Sequence, residues 1–333
     1  MEVLIIGGTG LISTGIVKHL VARGADVTLF NRGQRENTAP AGVRILRGDR
    51  ENSAEFSALG KRNWDVVIDM ICFNPEQADA DIQIFAGHTA QLIFCSTVCT
   101  YGIKSPPSVF VDETFPQEPI SGYGRNKLTC EQRFLKAHAE GKFKLTIVRP
   151  SSTYGPGGAL LDNLEGNSAS WDRIIKGKPV LCAGDGLGLW VSTYRDDVGK
   201  LFAYAGLNPK TYGQAYNATR PEHLTWRQYY QTVAEVLGQS AQVLFMPADW
   251  IWRHDPQRFG LLREITAFHG AYSSEKARRD VSEFTCETDF AEGASLTLHD
   301  VRRRAAWRSC DDDQLYDTMV NKALAIGMEP VIL

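Results

Sequence analysis

The stretch MEVLIIGGTGLISTG, residues 1–15, decides the fold. Val3 to Ile6 is an unbroken apolar run, the pattern of a parallel strand buried on both faces. It stops at Gly7-Gly8-Thr9-Gly10, where glycine lets the backbone turn tightly and lets a ligand come close. Leu11, Ile12, Ile16, Val17 and Leu20 then recur at helical spacing up to Ala22, and Gly24 closes the helix. A strand, a glycine turn and a helix N-terminus present free amide N–H groups and a positive helix end to an anion. This is the geometry that holds a dinucleotide pyrophosphate. Gly7, Thr9, Gly10, Leu11 and Ile12 are the candidates for that contact. The spacing Gly7-x-x-Gly10-x-x-Ser13 puts a serine at the third position, where a small residue still lets helix and strand pack closely. By itself the stretch also fits an ordinary strand-to-helix turn.

Composition narrows the class. The 333 residues suffice for one large domain or two modest ones, and 43% hydrophobic with 23% charged residues is ordinary for a globular protein. A net charge of −3 supplies no basic field for nucleic acid or an anionic membrane. No apolar stretch approaches the ~20 residues of a membrane span. The chain starts directly in a strand, with no basic segment or cleavage site, so no signal peptide is expected. The seven cysteines form no Cys-x-x-Cys pair, which favours reduced thiols in a cytoplasmic protein over zinc or a disulfide framework. The seven histidines lack ligand spacing, and no metal is expected.

Further apolar strands follow at Asp26–Phe30, Val43–Leu46, Asp65–Met70, Gln91–Cys95 and Lys144–Arg149, with helical stretches between them. That alternation implies an α/β fold with a doubly wound parallel sheet covered on both faces. Ligands of such sheets bind beyond the carboxyl ends of the strands. The residues to read are therefore Asn31-Arg32 with Arg35, Asp49-Arg50, Ile71-Cys72-Phe73, Ser96-Thr97 and Pro150-Ser151. The second strand ends on Asn31-Arg32, not on an acid that would bond a ribose 2′-hydroxyl. Arg32 and Arg35 are cations for a 2′-phosphate, so NADP is favoured over NAD.

Tyr123 and Lys127 open a helix and, four apart, share one of its faces. A nearby ammonium lowers a phenol's pKa and suits it to proton transfer near neutral pH. A hydroxyl from Thr97 or Ser96 could hold a substrate oxygen beside it. After Gly158 the pattern loosens, with a helix near Ser170–Lys176, a late strand at Gln214–Asn217 and many aromatic residues. The expected domains are 1–158 with a return of 192–220 for the nucleotide, and 159–191 with 221–333 as a smaller α-rich substrate lobe. Tyr154, Trp171 and Trp190 are candidates for stacking on a sugar or aromatic face, or for ordinary core packing.

Taken together, the motifs resemble the extended short-chain dehydrogenase/reductase superfamily, in its NAD-dependent epimerase/dehydratase branch. The residues that carry the resemblance are Gly7 to Ile12, Asp49, Ser96-Thr97 with Tyr101-Gly102, Tyr123 with Lys127, Arg149-Pro150 with Tyr154-Gly155-Pro156, and Arg195-Asp196-Asp197-Val198. They stand in the family's order over roughly the first 200 residues. The resemblance implies a Rossmann domain, a C-terminal substrate lobe and a homodimer formed through Rossmann helices. It also implies Tyr123 as the catalytic acid/base, and Lys127 on the nicotinamide ribose and tuning Tyr123. Thr97 would be the third catalytic group with Ser96 beside it, and Asp49 would meet the adenine.

Departures narrow the chemistry. Val98-Cys99 stands where dehydratases of the family carry Asp-Glu. Leu187-Gly188-Leu189-Trp190 lacks the arginine that nucleotide-sugar epimerases use on a diphosphate. These features look more like a divergent subgroup that includes chloroplast stem-loop RNA-binding relatives. The leading expectation is epimerase-type hydride transfer at a secondary alcohol or ketone of a small, hydroxylated, sugar-like substrate, put first because of the large second lobe. The alternative is a simple NADPH-dependent ketone reductase or alcohol dehydrogenase. A non-catalytic RNA-associated relative is the third reading, opposed by the intact Thr97/Tyr123/Lys127 set and the absence of basic surplus.

Overall fold

The computed structural model describes residues 1–34, 39–104, 106 and 108–333. They form two compact units. The first comprises Met1–Thr153, Arg195–Pro221 and Tyr272–Glu287; the second comprises Tyr154–Tyr194, Glu222–Ala271 and Thr288–Leu333. Tyr272–Glu287, read from the sequence as part of the second lobe, thus belongs with the first unit. The reason is burial: Ala277, Val281 and Phe284 enter the apolar core of that unit's sheet. Among the described residues no helix is long and apolar enough to cross a membrane.

The first unit is built on β1 (Glu2–Ile6), β2 (Asp26–Asn31), β3 (Arg44–Arg47), β4 (Trp64–Asp69), β5 (Thr89–Cys95) and β6 (Lys144–Pro150), joined by a seventh strand, Gln214–Ala218. Their order is Gln214–Ala218, β6, β5, β4, β1, β2, β3, and every pairing is parallel. This is the Rossmann-type, doubly wound order. The strand sequence reverses between β1 and β4, and ligands bind at that crevice.

Alternation along each strand supplies both layers. Val3 and Ile5 face one core with Ile16, Val17, Leu20, Leu201 and Phe202. Leu4 and Ile6 face the other with Phe56, Phe85, Phe94 and Phe134. These four side chains of β1 are fully buried, and each contributes about 1.5–3 kcal/mol by leaving water. The helices are α1 (Leu11–Ala22), α2 (Ser53–Ser57), α3 (Pro75–Phe85) and α4 (Gly122–Ala139), with Arg195–Ala205 packed against α1. The α1 contact is backbone on backbone. A Cβ on Gly15 would sit on the Arg195 carbonyl oxygen and 2.9 Å from the Asp196 Cα, and one on Gly199 would sit 2.6 Å from the Ile16 nitrogen.

In the second unit, Val180–Ala183 pairs in parallel with Gln242–Met246, and Val331–Ile332 pairs antiparallel with the latter. Helices Ala169–Ile175, Trp226–Val236, Phe290–Arg303 and Gln314–Ala325 accompany this small sheet. The core is aromatic, with Trp190 stacked on Trp226 at 4.9 Å and Trp171, Tyr229 and Tyr230 beside them. Tyr154, Trp171 and Trp190 are buried there, so none presents a free face for stacking on a ligand.

Candidate active site

A cavity of about 660 Å³ opens at the carboxyl ends of the first unit's strands. Its floor is the glycine turn. Gly7 has φ +85°, and a Cβ there would stand 2.5 Å from the Ile71 side chain. The turn is held by Gly7 N–H donating to the Phe30 carbonyl at 2.9 Å. Gly10 precedes α1 in extended conformation and offers no capping side chain. The amide donors of the first turn, at Leu11 and Ile12 on the cavity wall, are thus left for an anion. Thr9 lines the same wall. Ser13 is buried, and its hydroxyl donates to the Gly7 carbonyl at 2.9 Å and closes the turn; a separate close approach, helix on helix, is made by Gly15 and Gly199.

Thr97, Tyr123 and Lys127 line the same cavity. Thr97 follows β5 in extended conformation, and its Oγ1 accepts the Cys99 N–H at 3.2 Å. Ser121 caps α4 by accepting the Gly124 N–H at 3.0 Å, which fixes where the helix carrying Tyr123 begins. Lys127 is buried, and its ammonium donates to the carbonyls of Cys72 at 2.8 Å and Cys95 at 2.7 Å. It thereby ties α4 to the ends of β4 and β5. The ammonium lies 5.9 Å from the Tyr123 ring centre and 4.7 Å from that of Phe73.

The Tyr123 phenol is held well above its ordinary range. Tyr123 is 45% exposed at the cavity; loss of water around its phenol raises it first, the Cys95 and Cys99 thiols add to that, and the nearby Thr97 hydroxyl opposes them. The Lys127 ammonium, expected from the sequence to lower this phenol, also bonds two backbone carbonyls. Ser96 lines the cavity as well, but its hydroxyl is bonded to Glu131, which leaves the Thr97 hydroxyl as the one available beside Tyr123.

A family description, the NAD-dependent epimerase/dehydratase family, matches residues 3–219. The chain belongs to that family. It is 28% identical over 251 residues to a 2′-dehydrokanamycin reductase of Streptomyces kanamyceticus, covering 75% of this chain and 70% of that protein. It is also 28% identical over 183 residues to a UDP-glucose 4-epimerase of Lacticaseibacillus casei, covering 48% of this chain and 54% of that one. Among solved structures, a UDP-glucose 4-epimerase of Thermotoga maritima with UDP-glucose superposes with a TM-score of 0.72 at 18% identity, over 92% of this chain and 100% of that one. That likeness shows the fold.

As an NAD(P)-dependent enzyme of this family, the chain brings most of its sequence-expected cofactor residues to the cavity. Asn31, Arg32, Asp49, Ile71, Phe73, Pro150 and Ser151 all line it. Asn31 accepts the Gly33 N–H at 2.9 Å through Oδ1. Its Nδ2 is a buried donor with no partner among the described residues. Arg32 is exposed at the rim. Arg35 lies outside the described residues. Asp49 is half-buried, and its Oδ1 accepts the Glu51 N–H at 3.1 Å.

Two expected contacts are spent elsewhere. The Arg50 guanidinium borders the cavity but is bound to Asp69 at 2.9 Å and Asp81 at 3.0 Å, and donates to the Gln77 carbonyl at 3.2 Å. It is no free cation for phosphate. Burial pushes both acids up, but the Arg50 charge holds Asp69 below the usual range. Asp81, facing the Asp69 charge, is driven well above its own. With Cys72, these two acids are the grouping of possible metal-ligand atoms among the described residues, and Arg50 already binds both carboxylates. The Cys72 thiol points away from the cavity, 3.8 Å from the Cys130 sulfur, because its carbonyl is the group turned to Lys127.

The sequence reading missed Gln77. Its Oε1 accepts the Phe73 N–H at 2.6 Å and its Nε2 donates to Glu51 at 2.7 Å, joining two loops that line the cavity. The signal was present in Asn74-Pro75. An N-cap followed by proline starts α3 and sets Gln77 at the third helical position, able to reach back over the helix end.

Proposed function

We propose that this chain transfers hydride between NAD(P) and a secondary alcohol or ketone carbon of a sugar-like substrate, with ketone reduction as its net direction. The observation that carries the reading is that Thr97, Tyr123 and Lys127 line one cavity with the glycine turn. Bound NAD(P)H supplies the hydride. The Thr97 hydroxyl holds the ketone oxygen, and Tyr123 protonates the oxygen as negative charge develops on it. A phenol is protonated at neutral pH and so has the proton to give. Lys127 has three N–H donors and uses two on carbonyls. The third is left for a ribose hydroxyl.

Two observations support reduction over epimerisation. The reductase relative matches over 75% of this chain, against 48% for the epimerase. No arginine stands at Leu187–Trp190 for a substrate diphosphate. The epimerase-type reading rests on the large second unit, which a nucleotide-linked sugar would use. NADP is the proposed cofactor, on Arg32 and the absence of an acid at the end of β2.

Tyr123→Phe is expected to lower turnover at least about 100-fold while NADPH still binds. Retained turnover would sink the assignment. NADPH absorbance with keto sugars as probes, the dehydrokanamycin of the relative among them, separates the two directions. Net NADPH oxidation supports the reductase, whereas product formed without net oxidation selects the epimerase. Arg32→Ala should erase a preference for NADPH over NADH in fluorescence titration. Equal affinities in the unmodified protein refute the NADP reading.

A further inference from the structure

Beneath Thr97 lies a buried polar network that the proton-transfer scheme does not use. The Glu131 carboxylate accepts two bonds from Arg149, from Nε at 2.9 Å and from Nη2 at 2.6 Å. It also accepts the Ser96 hydroxyl and the Gln117 amide, the latter at 3.0 Å. Arg149 continues to the Tyr101 hydroxyl at 2.8 Å, which donates to Asn217 at 2.8 Å. Glu131 and Arg149 are both nearly inaccessible. A buried pair this well satisfied fixes its neighbours more than it stabilises the chain.

The network's placement gives it a role. Glu131 lies on α4 four residues after Lys127, which is four after Tyr123. Ser96 immediately precedes Thr97 at the end of β5. In extended chain, adjacent side chains point to opposite sides. Anchoring the Ser96 hydroxyl inward therefore turns the Thr97 hydroxyl outward, toward Tyr123.

We infer that Glu131, held by Arg149 and acting through Ser96, is a positioning residue that sets the Thr97 hydroxyl against the Tyr123 phenol. This rests on the proposed roles of Thr97 and Tyr123. The Ser96–Glu131 bond spans from the β5 turn to α4, so it links directly the two elements that carry the proton-transfer groups. It also engages one of two adjacent hydroxyls at the cavity and leaves the other available.

The test reads the phenol itself. Full-length protein carrying 3,5-difluorotyrosine at position 123 and saturated with NADP⁺ is titrated by ¹⁹F NMR. Thr97 and Tyr123 line one cavity, and a hydroxyl set against a phenol oxygen favours the phenolate, so Thr97→Ala should raise the probe's apparent pKa, by at least about half a unit. Ser96→Ala, which leaves the Glu131–Arg149 pair intact, should raise it by a similar amount. The double variant should show no further shift, because Ser96 acts through Thr97. Glu131→Gln should reproduce the shift if it folds; Ser96→Ala keeps the test open if it does not. A Ser96→Ala protein that unfolds at the wild-type temperature but shows no shift overturns the inference, as do additive shifts in the double variant. If Tyr123→Phe retains turnover, the functional reading fails instead, and it does so independently of this titration.

Discussion

Asp162 shows how a single residue's surroundings reset its chemistry. It is wholly buried in the second unit, and its Oδ1 accepts the Leu164 N–H at 2.7 Å. Burial pushes its carboxyl up to about 7, against the help of the Ser170 hydroxyl, and the Glu165 charge adds to the rise. The folded value lies above the ordinary carboxylate value of about 3.9. Between those two values the unfolded chain releases a proton that the folded chain keeps. Stability therefore falls as pH rises from about 4 to about 7, and the loss is complete above that window. Asp162→Asn keeps an acceptor and cannot ionise. We expect it to raise the thermal midpoint at pH 8 relative to wild type and to lose that advantage by pH 4; an advantage independent of pH would contradict the assignment. Nothing in the sequence marks Asp162, since burial depends on residues far along the chain. Tyr123 is the complementary case. Its spacing from Lys127 was legible, but its environment was not, because the carbonyls that claim the ammonium come from two other strand ends.

At the scale of elements, the contact between α1 and Arg195–Ala205 depends on two glycines rather than on apolar side chains. Gly15 and Gly199 bring the two backbones together. Gly199→Ala would place a methyl against the Gly15 and Ile16 backbone, which cannot give way as a flexible side chain can. Overpacking of this kind costs about 1–3 kcal/mol. The expected result is a lower urea midpoint with an unchanged slope, and an unchanged midpoint would show that the helices can separate without cost. Gly15 stands in the opening stretch, but helical periodicity is silent about it. Its partner lies 184 residues away, and glycine inside a helix reads locally only as a weak helix former. The capping residues Ser121 and Asn74 were readable by contrast, because a cap acts within three residues of itself.

For the whole molecule, the parallel sheet followed from apolar strands alternating with helices, and the glycine turn followed from its position after the first of them. These are local patterns, and the cavity at the strand ends comes with the topology they imply. The second unit was far less legible. Its aromatic residues have no clean period because they fill one core from several directions. Tyr272–Glu287 returned to the first unit only because Ala277, Val281 and Phe284 complete an apolar surface there. The sequence by itself determined the strand order's building blocks, the glycine turn and the pairing of Tyr123 with Lys127, since each is written in short-range spacing, and it placed Thr97 at a strand end. Only the tertiary structure decided that Ser96 turns inward, that Arg50 is held by Asp69 and Asp81, and that Lys127 rests on two carbonyls. Those outcomes depend on which distant charges and carbonyls become neighbours when the strand ends converge, and on the high free energy of leaving a buried charge unpaired.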